Sequence, residues 1–445
     1  MQIKTVVLAT ARTPFGRLGG VLAAFPGPVL GGEAIRAALE RAKIDPADVD
    51  HVFMGEVLQG GVGQAPARQA AYNAGLAKTV TFETVNKVCA SGMIAIVHGA
   101  RLIGDAGASV VVSGGMESMS NAPYAALNAR FGYRFGDGAL VDLMSYDGLL
   151  DPYSRLTMAQ AQTRVNDDLG ITRDVQDEFA FTSHARAAKS TGEGAFKDEI
   201  VALKIATKAK GKLVVDRVPV QARPRVPVTV GGNGTSRIWQ HESAEVLVPD
   251  SKRFSPYVGG DVPFTVVDKD EPIRAEASLE SMAKLAPLDK DGTVTAGNAP
   301  GVNDGACALV LASEDYARGH GYEALGEIVD HAMAAWDPAY LALTPAMAAQ
   351  KLLDKHGLKA SDIHVWEVNE AFAAVAWSTA NRLGLDPKAL NALGGAVALG
   401  HPIGASGARI TASVVHQLRR RGGGLGIASI CSGGGQGDAV LVRVN

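Results

Sequence analysis

Three observations on the 445-residue sequence predict a duplicated α/β fold. Short β-branched runs alternate with Ala-rich helical segments through the first 115 residues, the same rhythm returns after about residue 323, and the two stretches share small motifs at equivalent places.

In the first stretch, residues 5–10 read as a strand, 32–42 as a helix, 52–56 as a strand, 64–74 and 94–103 as helices and 109–113 as a strand, implying a largely buried sheet. In the second, 326–331, 365–368, 424–430 and 439–444 read as strands and 345–355, 372–383 and 407–419 as helices. Ala90-Ser91-Gly92 opens a helix whose following strand ends in Ser113-Gly114-Gly115. Ala405-Ser406-Gly407 opens another whose strand runs into Ser432-Gly433-Gly434, so two βα repeats facing each other are expected. From about 120 to 302 the rhythm breaks. Residues 121–153 are turn-rich, 173–189 read as a charged amphipathic helix, and 217–264 carry six prolines that point to extended ribbons or edge strands. Asn233-Gly234-Thr235 there reads as a tight turn rather than a glycosylation acceptor.

Composition narrows the function classes. A hydrophobic fraction of 47% with 20% charged residues excludes a disordered chain. Forty-three Lys and Arg against 46 Asp and Glu, a formal charge of −3, argue against a nucleic-acid coat or a basic membrane-surface protein. No apolar run of about 18 residues is present, so no membrane span is expected. The start reads as a strand and turn rather than a signal peptide. Three cysteines without a C-x-x-C pair fit a reducing, cytoplasmic setting and give no structural zinc site. Glycine is the outlier at 52 residues, concentrated at 394–407 and 422–437, which marks backbone closely approaching something.

No dinucleotide-binding glycine fingerprint, P-loop, H-E-x-x-H or G-x-S-x-G is present. What remains is a set of reactive side chains beside glycines. Cys89 follows the strand-like 84–88 and precedes a helix, whose free N–H groups and dipole favour a thiolate nucleophile. Cys307, within Ala306-Cys307-Ala308-Leu309-Val310, reads as core. Cys431 precedes a run of glycines that bares backbone N–H groups to a ligand. His401, between Gly400 and Pro402, has little packing to do and can serve as a base, whereas His98 and His416 read as ordinary helix residues. Asn369 stands at a strand end, where it is either a ligand contact or a helix N-cap.

These residues carry a family resemblance. Val85-Asn86-Lys87-Val88-Cys89-Ala90-Ser91-Gly92, Gly114-Gly115-Met116-Glu117-Ser118-Met119-Ser120, Asn369-Glu370-Ala371-Phe372, Gly400-His401-Pro402 and Cys431-Ser432-Gly433-Gly434-Gly435 resemble the thiolases, in their biosynthetic acetyl-CoA acetyltransferase branch. The resemblance starts at Ala11-Arg12-Thr13-Pro14-Phe15-Gly16 and keeps the family's order over nearly the whole chain. It implies a five-layered α/β/α/β/α fold: an N-terminal half at 1–119, a loop domain at 120–302 with an extra insert near 217–266, a returning strand and helix at 303–323, and a C-terminal half at 324–445.

The resemblance also implies chemistry: reversible Claisen condensation of two acetyl-CoA to acetoacetyl-CoA and CoA, within fatty acid metabolism. Cys89 would accept the acyl group, His401 would activate it, Cys431 would act as acid and base at the α-carbon, and Asn369 would hold an oxyanion-site water. Backbone N–H groups of Cys89 and Gly433 would bind the tetrahedral oxyanion. Leu149, Met158, Arg274, Ser281, Ala296, Pro300, Ala371 and Phe372 match coenzyme-contacting positions. Coenzyme A is then substrate and product, with no cofactor or metal; the partners are acetyl-CoA, acyl-CoA and CoA, without nucleic acid or membrane. Residues 125–144 resemble the branch's tetramerisation loop, so a homotetramer, or at least a dimer, is expected.

Three departures bear on acyl specificity: Thr157 where members usually carry histidine, Pro300 in place of serine and Leu393 in place of asparagine. Across 217–266, six cations (Arg217, Arg223, Arg225, Arg237, Lys252, Arg253) face four acids, and are expected either to meet coenzyme phosphates or to form a solvated ribbon. The competing functions are a degradative 3-ketoacyl-CoA thiolase acting on longer chains and, in a different class, a non-catalytic acyl-CoA or lipid-binding protein.

Overall fold

The computed structural model describes residues 3–206, 264–290 and 292–445. Most of the expected insert, with its six cations and the Asn233 turn, lies outside them. Met1–Leu203 with Val267–Asn445 form one compact unit, and Lys204–Val266 form a second. In the second, the described residues belong to the paired strands Leu203–Ala206 and Phe264–Val267, with the Lys204 ammonium 5.2 Å from the centre of the Phe264 ring.

The main unit is built on strands with near-continuous apolar sequence, which is what a strand covered on both faces requires. Thr5–Arg12 and Val110–Ser118 are buried at every position, and Asn303–Ser313 at all but the last. Asn303–Ser313 pairs antiparallel with Thr5–Arg12 on one side and Val110–Ser118 on the other. His51–Gly55 and Thr81–Val85 extend this half in parallel. The other half runs Gly326–Ala335, Gln436–Val444, Gly424–Ser432 and Val365–Val368. Antiparallel pairing of Thr5, Val6 and Val7 with Ile328, Glu327 and Gly326 joins the halves into one hydrogen-bonded sheet.

Between the half-sheets lie two helices, Ser91–Ala106 and Ser406–Arg420, the equivalents expected from the repeated Ala-Ser-Gly. One apolar cluster takes Met93, Ile96 and Ile410 from these helices, Val111 and Leu309 from the first half-sheet, and Ile430 and Val440 from the second. Gly27–Ala42 and Pro66–Asn73 cover the outer face of the first half, and Thr344–His356 and Ala373–Arg382 lie on the second, completing five layers. The two central helices approach closely because glycine stands at their contact. A Cβ on Gly92 would meet the Gly404 carbonyl oxygen at 2.8 Å, and one on Gly407 would meet the Met93 nitrogen at 2.6 Å.

One apolar segment comes near the length of a membrane span, and one strand expectation needs correction. Val88–Asp105 has a mean hydropathy of 1.2, long and apolar enough to cross a membrane. That apolarity is used in the core instead, because the helix is covered by sheet and by its partner helix rather than by one face alone. The strand expected at 84–88 is Thr81–Val85, and its first three residues are exposed, so the sheet is not buried at this edge. Beyond the strand's end, Val88 is in the left-handed region at φ 43°, outside the strand range.

Two buried guanidinium groups tie distant segments. Arg12 binds Asp270 through two nitrogens at 2.7 and 2.9 Å and Glu199 at 3.3 Å, while Arg409 binds Glu367 at 2.9 Å. Each charge is withdrawn from water and therefore needs its partner.

Candidate active site

The loops at the N-termini of the two central helices meet in one cleft. Cys89, His401, Cys431 and Gly433 line it, together with Leu149, Met158, Pro300, Ala371 and Phe372 of the expected coenzyme contacts. Its remaining wall is mostly apolar and includes Val88, Met119, Leu288, Leu341 and Ile403.

Cys89 is half-buried and precedes the helix that begins at Ser91. Its predicted thiolate character is corrected by the structure. Burial pushes the thiol up to about 12, outweighing the backbone N–H groups of Gly433 and of Cys89 itself, which bond to the sulfur and favour its anion. Those two N–H groups, directed at the sulfur, are backbone donors of the kind that an oxyanion hole uses. A Cβ on Gly433 would come within 3.2 Å of the Val88 side chain, tighter than an ordinary contact.

His401 is buried, with its N–H donating to Asn303 Oδ1 at 2.8 Å. Its Nδ1 lies 2.6 Å from Ser406 Oγ, and that hydroxyl donates to the Pro402 carbonyl at 2.9 Å. With the hydroxyl proton directed at Pro402, the matching tautomer carries its proton on Nδ1 and leaves the lone pair on Nε2. Nε2 is buried without a hydrogen-bond partner among the described residues. Burial, with Arg409 adding to it, lowers the imidazole to about 3, so His401 is neutral at physiological pH and able to accept a proton.

Cys431, at the end of the strand Gly424–Ser432, is fully buried. Burial raises its thiol well above the ordinary value, and Cys89 beside it raises it further. Two thiols and a neutral imidazole in an apolar cleft can hold an acyl group on one sulfur while moving a carbon-bound proton with the other.

Not every expected residue lines the cleft. Asn369 is buried at the end of Val365–Val368, outside the lining, and neither atom of its amide has a partner among the described residues. Arg274, Ser281 and Ala296 are exposed, with Arg274 Nη1 donating to the Ala296 carbonyl at 3.3 Å and Ser281 completing the capping box of Leu279–Ala283. Leu393 packs against the cluster of Ala187, Phe196 and Ala398. Thr157 and Pro300 do line the cleft, but the Thr157 hydroxyl caps the helix Met158–Leu169.

Several supporting residues had no role in the sequence reading. Glu117 accepts from the N–H groups of Val57, Leu58 and Gly404 at 3.0, 3.2 and 3.0 Å, holding together loops from both halves. Ser91 Oγ accepts from Lys87 N–H at 2.8 Å and donates to the Val88 carbonyl at 2.6 Å, bracing the left-handed turn before Cys89. The sequence signal for Ser406 is its place in a helix N-terminus five residues after His401; Glu117 sits within Gly114-Gly115-Met116-Glu117-Ser118, which carries no chemistry of its own.

Comparison with known proteins agrees with this architecture. The family model described as "Thiolase, N-terminal domain" matches residues 5–228 and 256–315, and "Thiolase, C-terminal domain" matches 322–444. The acetyl-CoA acetyltransferase of Escherichia coli is 40% identical over 440 residues, covering 98% of both chains. That of Cupriavidus necator is 40% identical over 439 residues with the same coverage. Among solved structures, the crystal structure of the Bacillus anthracis acetyl-CoA acetyltransferase superposes with a TM-score of 0.85 at 35% identity, covering 99% of each chain.

Proposed function

The chain belongs to the thiolase family, and from that premise we propose that it is an acetyl-CoA C-acetyltransferase working through an acyl-Cys89 intermediate. The observation that carries the reading is Cys89, flanked by the Gly433 and Cys89 N–H groups, in one cleft with His401 Nε2 and Cys431. In the first half-reaction the Cys89 sulfur attacks the thioester carbonyl carbon. His401 Nε2 takes the thiol proton and returns it to the departing coenzyme A thiolate. Thiol and imidazole are both neutral at rest, so this proton moves in step with the attack.

In the second half-reaction Cys431 passes its thiol proton to His401 Nε2 and, as thiolate, takes an α-proton from another acetyl-CoA; the imidazolium returns its proton to the Cys89 thiolate when that is released. The resulting enolate carbon bonds to the acyl carbon on Cys89, and the C–S bond breaks to release acetoacetyl-CoA and the Cys89 thiolate. Thiolysis reverses these steps, with the Cys431 thiol protonating the leaving enolate. The raised pKa of Cys431 supports that acid role, since the group is held as a thiol. His401 and a water held by the unpartnered Asn369 amide stabilise the enolate oxygen. Leu149, Met158, Pro300, Ala371 and Phe372 contact the pantetheine and acyl portions, and exposed Arg274, Ser281 and Ala296 the outer part of the coenzyme.

A second reading, thiolysis of longer 3-ketoacyl-CoA, is favoured by the apolar wall of Met119, Leu288, Leu341 and Ile403. Mass spectrometry after incubation with acetyl-CoA should show an acetyl group on Cys89. Thiolysis rates with acetoacetyl-CoA and a long 3-ketoacyl-CoA then separate the two readings. Absence of both the adduct and thiolysis refutes the acyltransferase assignment.

The assembly is a homotetramer, or at least a dimer. Phe131, Phe135 and Leu140, at 88%, 103% and 67% exposed in the segment between the central fold and the cleft wall, support a partner surface there. Light scattering showing a monomer at micromolar concentration would contradict this. Three unpaired cysteines support a reducing, cytoplasmic setting, and acetyl-CoA chemistry a place in fatty acid metabolism.

A further inference from the structure

Two connections cross from the loop of Cys89 to the strand pair that carries Cys431. The Ser432 hydroxyl donates to the Lys87 carbonyl at 2.5 Å, and the Lys87 ammonium donates to Asp438 Oδ1 at 2.8 Å. Lys87 lies two residues before Cys89, and Ser432 directly follows Cys431. Asp438 stands opposite Ile430, beside the Cys431–Gly437 pair of the same antiparallel ladder. The ammonium also lies 3.2 Å from Met333 Sδ.

Burial makes this pair unusual. The Lys87 side chain is 17% exposed and that of Asp438 2%, and Asp438 Oδ2 has no hydrogen-bond partner among the described residues. A withdrawn ion pair gains little net stability, because desolvation offsets the attraction; what it does supply is a fixed geometry between the segments it joins. The segment on the Lys87 side needs fixing. Val88, between Lys87 and Cys89, is a β-branched residue at φ 43°, a conformation that persists only where its surroundings hold it.

We infer that Lys87 is a positioning residue: joined to Asp438 and Ser432, it sets the relative placement of the Cys89 and Cys431 thiols, and acts on the carbon–carbon step rather than on acylation of Cys89. The distinction follows from which groups each step uses. Acylation needs Cys89, His401 and the two N–H groups. Condensation and thiolysis also need Cys431 to deliver or remove a proton on the carbon that bonds to the acyl group of Cys89. An error of about 1 Å between reacting groups costs on the order of 10²-fold in rate.

The inference rests on the acyltransferase reading, and its test separates the two. Lys87→Met should acetylate Cys89 from acetyl-CoA, read by quenched mass spectrometry, within about threefold of the wild-type rate, while kcat for acetoacetyl-CoA thiolysis falls on the order of 10²-fold at a similar KM. Lys87→Arg, which keeps the charge and reach, should recover most of the lost turnover. Asp438→Asn keeps an oxygen for the ammonium and should show the same split at smaller size, so it carries the test if Lys87→Met does not fold. Adding Asp438→Asn to Lys87→Met should cost nothing further. If acetylation and thiolysis fall in parallel, or neither falls, in folded variants, Lys87 has no such role. A wild-type protein without an acetyl adduct would instead refute the acyltransferase reading itself.

Discussion

Removing the Ser406 hydroxyl tests how His401 is held as a base. In the wild type the Ser406 oxygen lies 2.6 Å from His401 Nδ1, and with its own proton directed at Pro402 it favours the proton on Nδ1 and the lone pair on Nε2. In Ser406→Ala the Nδ1–H is left without an acceptor in a residue only 6% exposed, a cost of about 1–3 kcal/mol. Nε2 has no partner either, so the two tautomers become comparably populated and the ring loses the contact that aims Nε2. The lost orienting hydrogen bond, about 1 kcal/mol, with the halved share of the competent tautomer should slow single-turnover acetylation of Cys89 roughly tenfold. Ser406→Thr, which retains a hydroxyl, should stay near the wild-type rate. The assay is the time course of the acetyl adduct after mixing with acetyl-CoA. A folded Ser406→Ala protein that acetylates within about twofold of wild type would refute the tautomer argument.

Cys89→Ser should lose acyl-enzyme formation, because a serine hydroxyl is far less readily ionised than a thiol; an adduct of equal yield in the variant would overturn the nucleophile assignment. Cys431→Ala should still acetylate Cys89, while carbon–carbon bond formation and exchange of acetyl-CoA α-protons with solvent fall together; normal exchange would reject the acid/base role. His401 is lowered by burial to about 3 from an ordinary 6.5. Below pH 6.5 the unfolded chain therefore binds a proton that the folded chain does not, and this group withdraws stability as pH falls toward 3, by about 1.4 kcal/mol per pH unit. Folded His401→Asn should lose less stability than wild type between pH 7 and 5 in urea melts, and parallel losses would show that the buried imidazole does not contribute.

The chemistry was more legible in the sequence than the geometry that tunes it. Cys89, His401 and Cys431 stand beside glycines in short contiguous motifs, so their candidacy could be read locally, and alternating strands and helices pointed to the duplicated fold. The thiol of Cys89 was misjudged because a helix N-terminus is a local feature, whereas desolvation depends on what the opposite half of the chain places over the sulfur. Lys87 and Asp438 are 351 residues apart, and nothing within either motif shows that they meet. The left-handed Val88 was invisible for a similar reason. A valine has no intrinsic preference for that region, and only Ser91 and the surrounding packing hold it there. Val88–Asp105 carries enough apolar sequence for a membrane span, and its place between two half-sheets follows only from the pairing of strands elsewhere in the chain.

Duplication also explains why this site can run two steps of different kinds. Each central helix presents its N-terminal loop at the same end of the fold: Cys89 just before Ser91–Ala106, and His401 just before Ser406–Arg420. Glycines at 92 and 407 let the helices pack at backbone distance, and Glu117 binds N–H groups from both loop systems. Cys431 enters from the strand after the second helix, on the ladder that Lys87 reaches across to grip. The proposed nucleophile therefore comes from one half, and its proposed base and the second thiol from the other. Positions that join the halves should thus control the order of the chemistry, because they set the distance between the acyl carbon on Cys89 and the proton donor on Cys431 without touching either substrate.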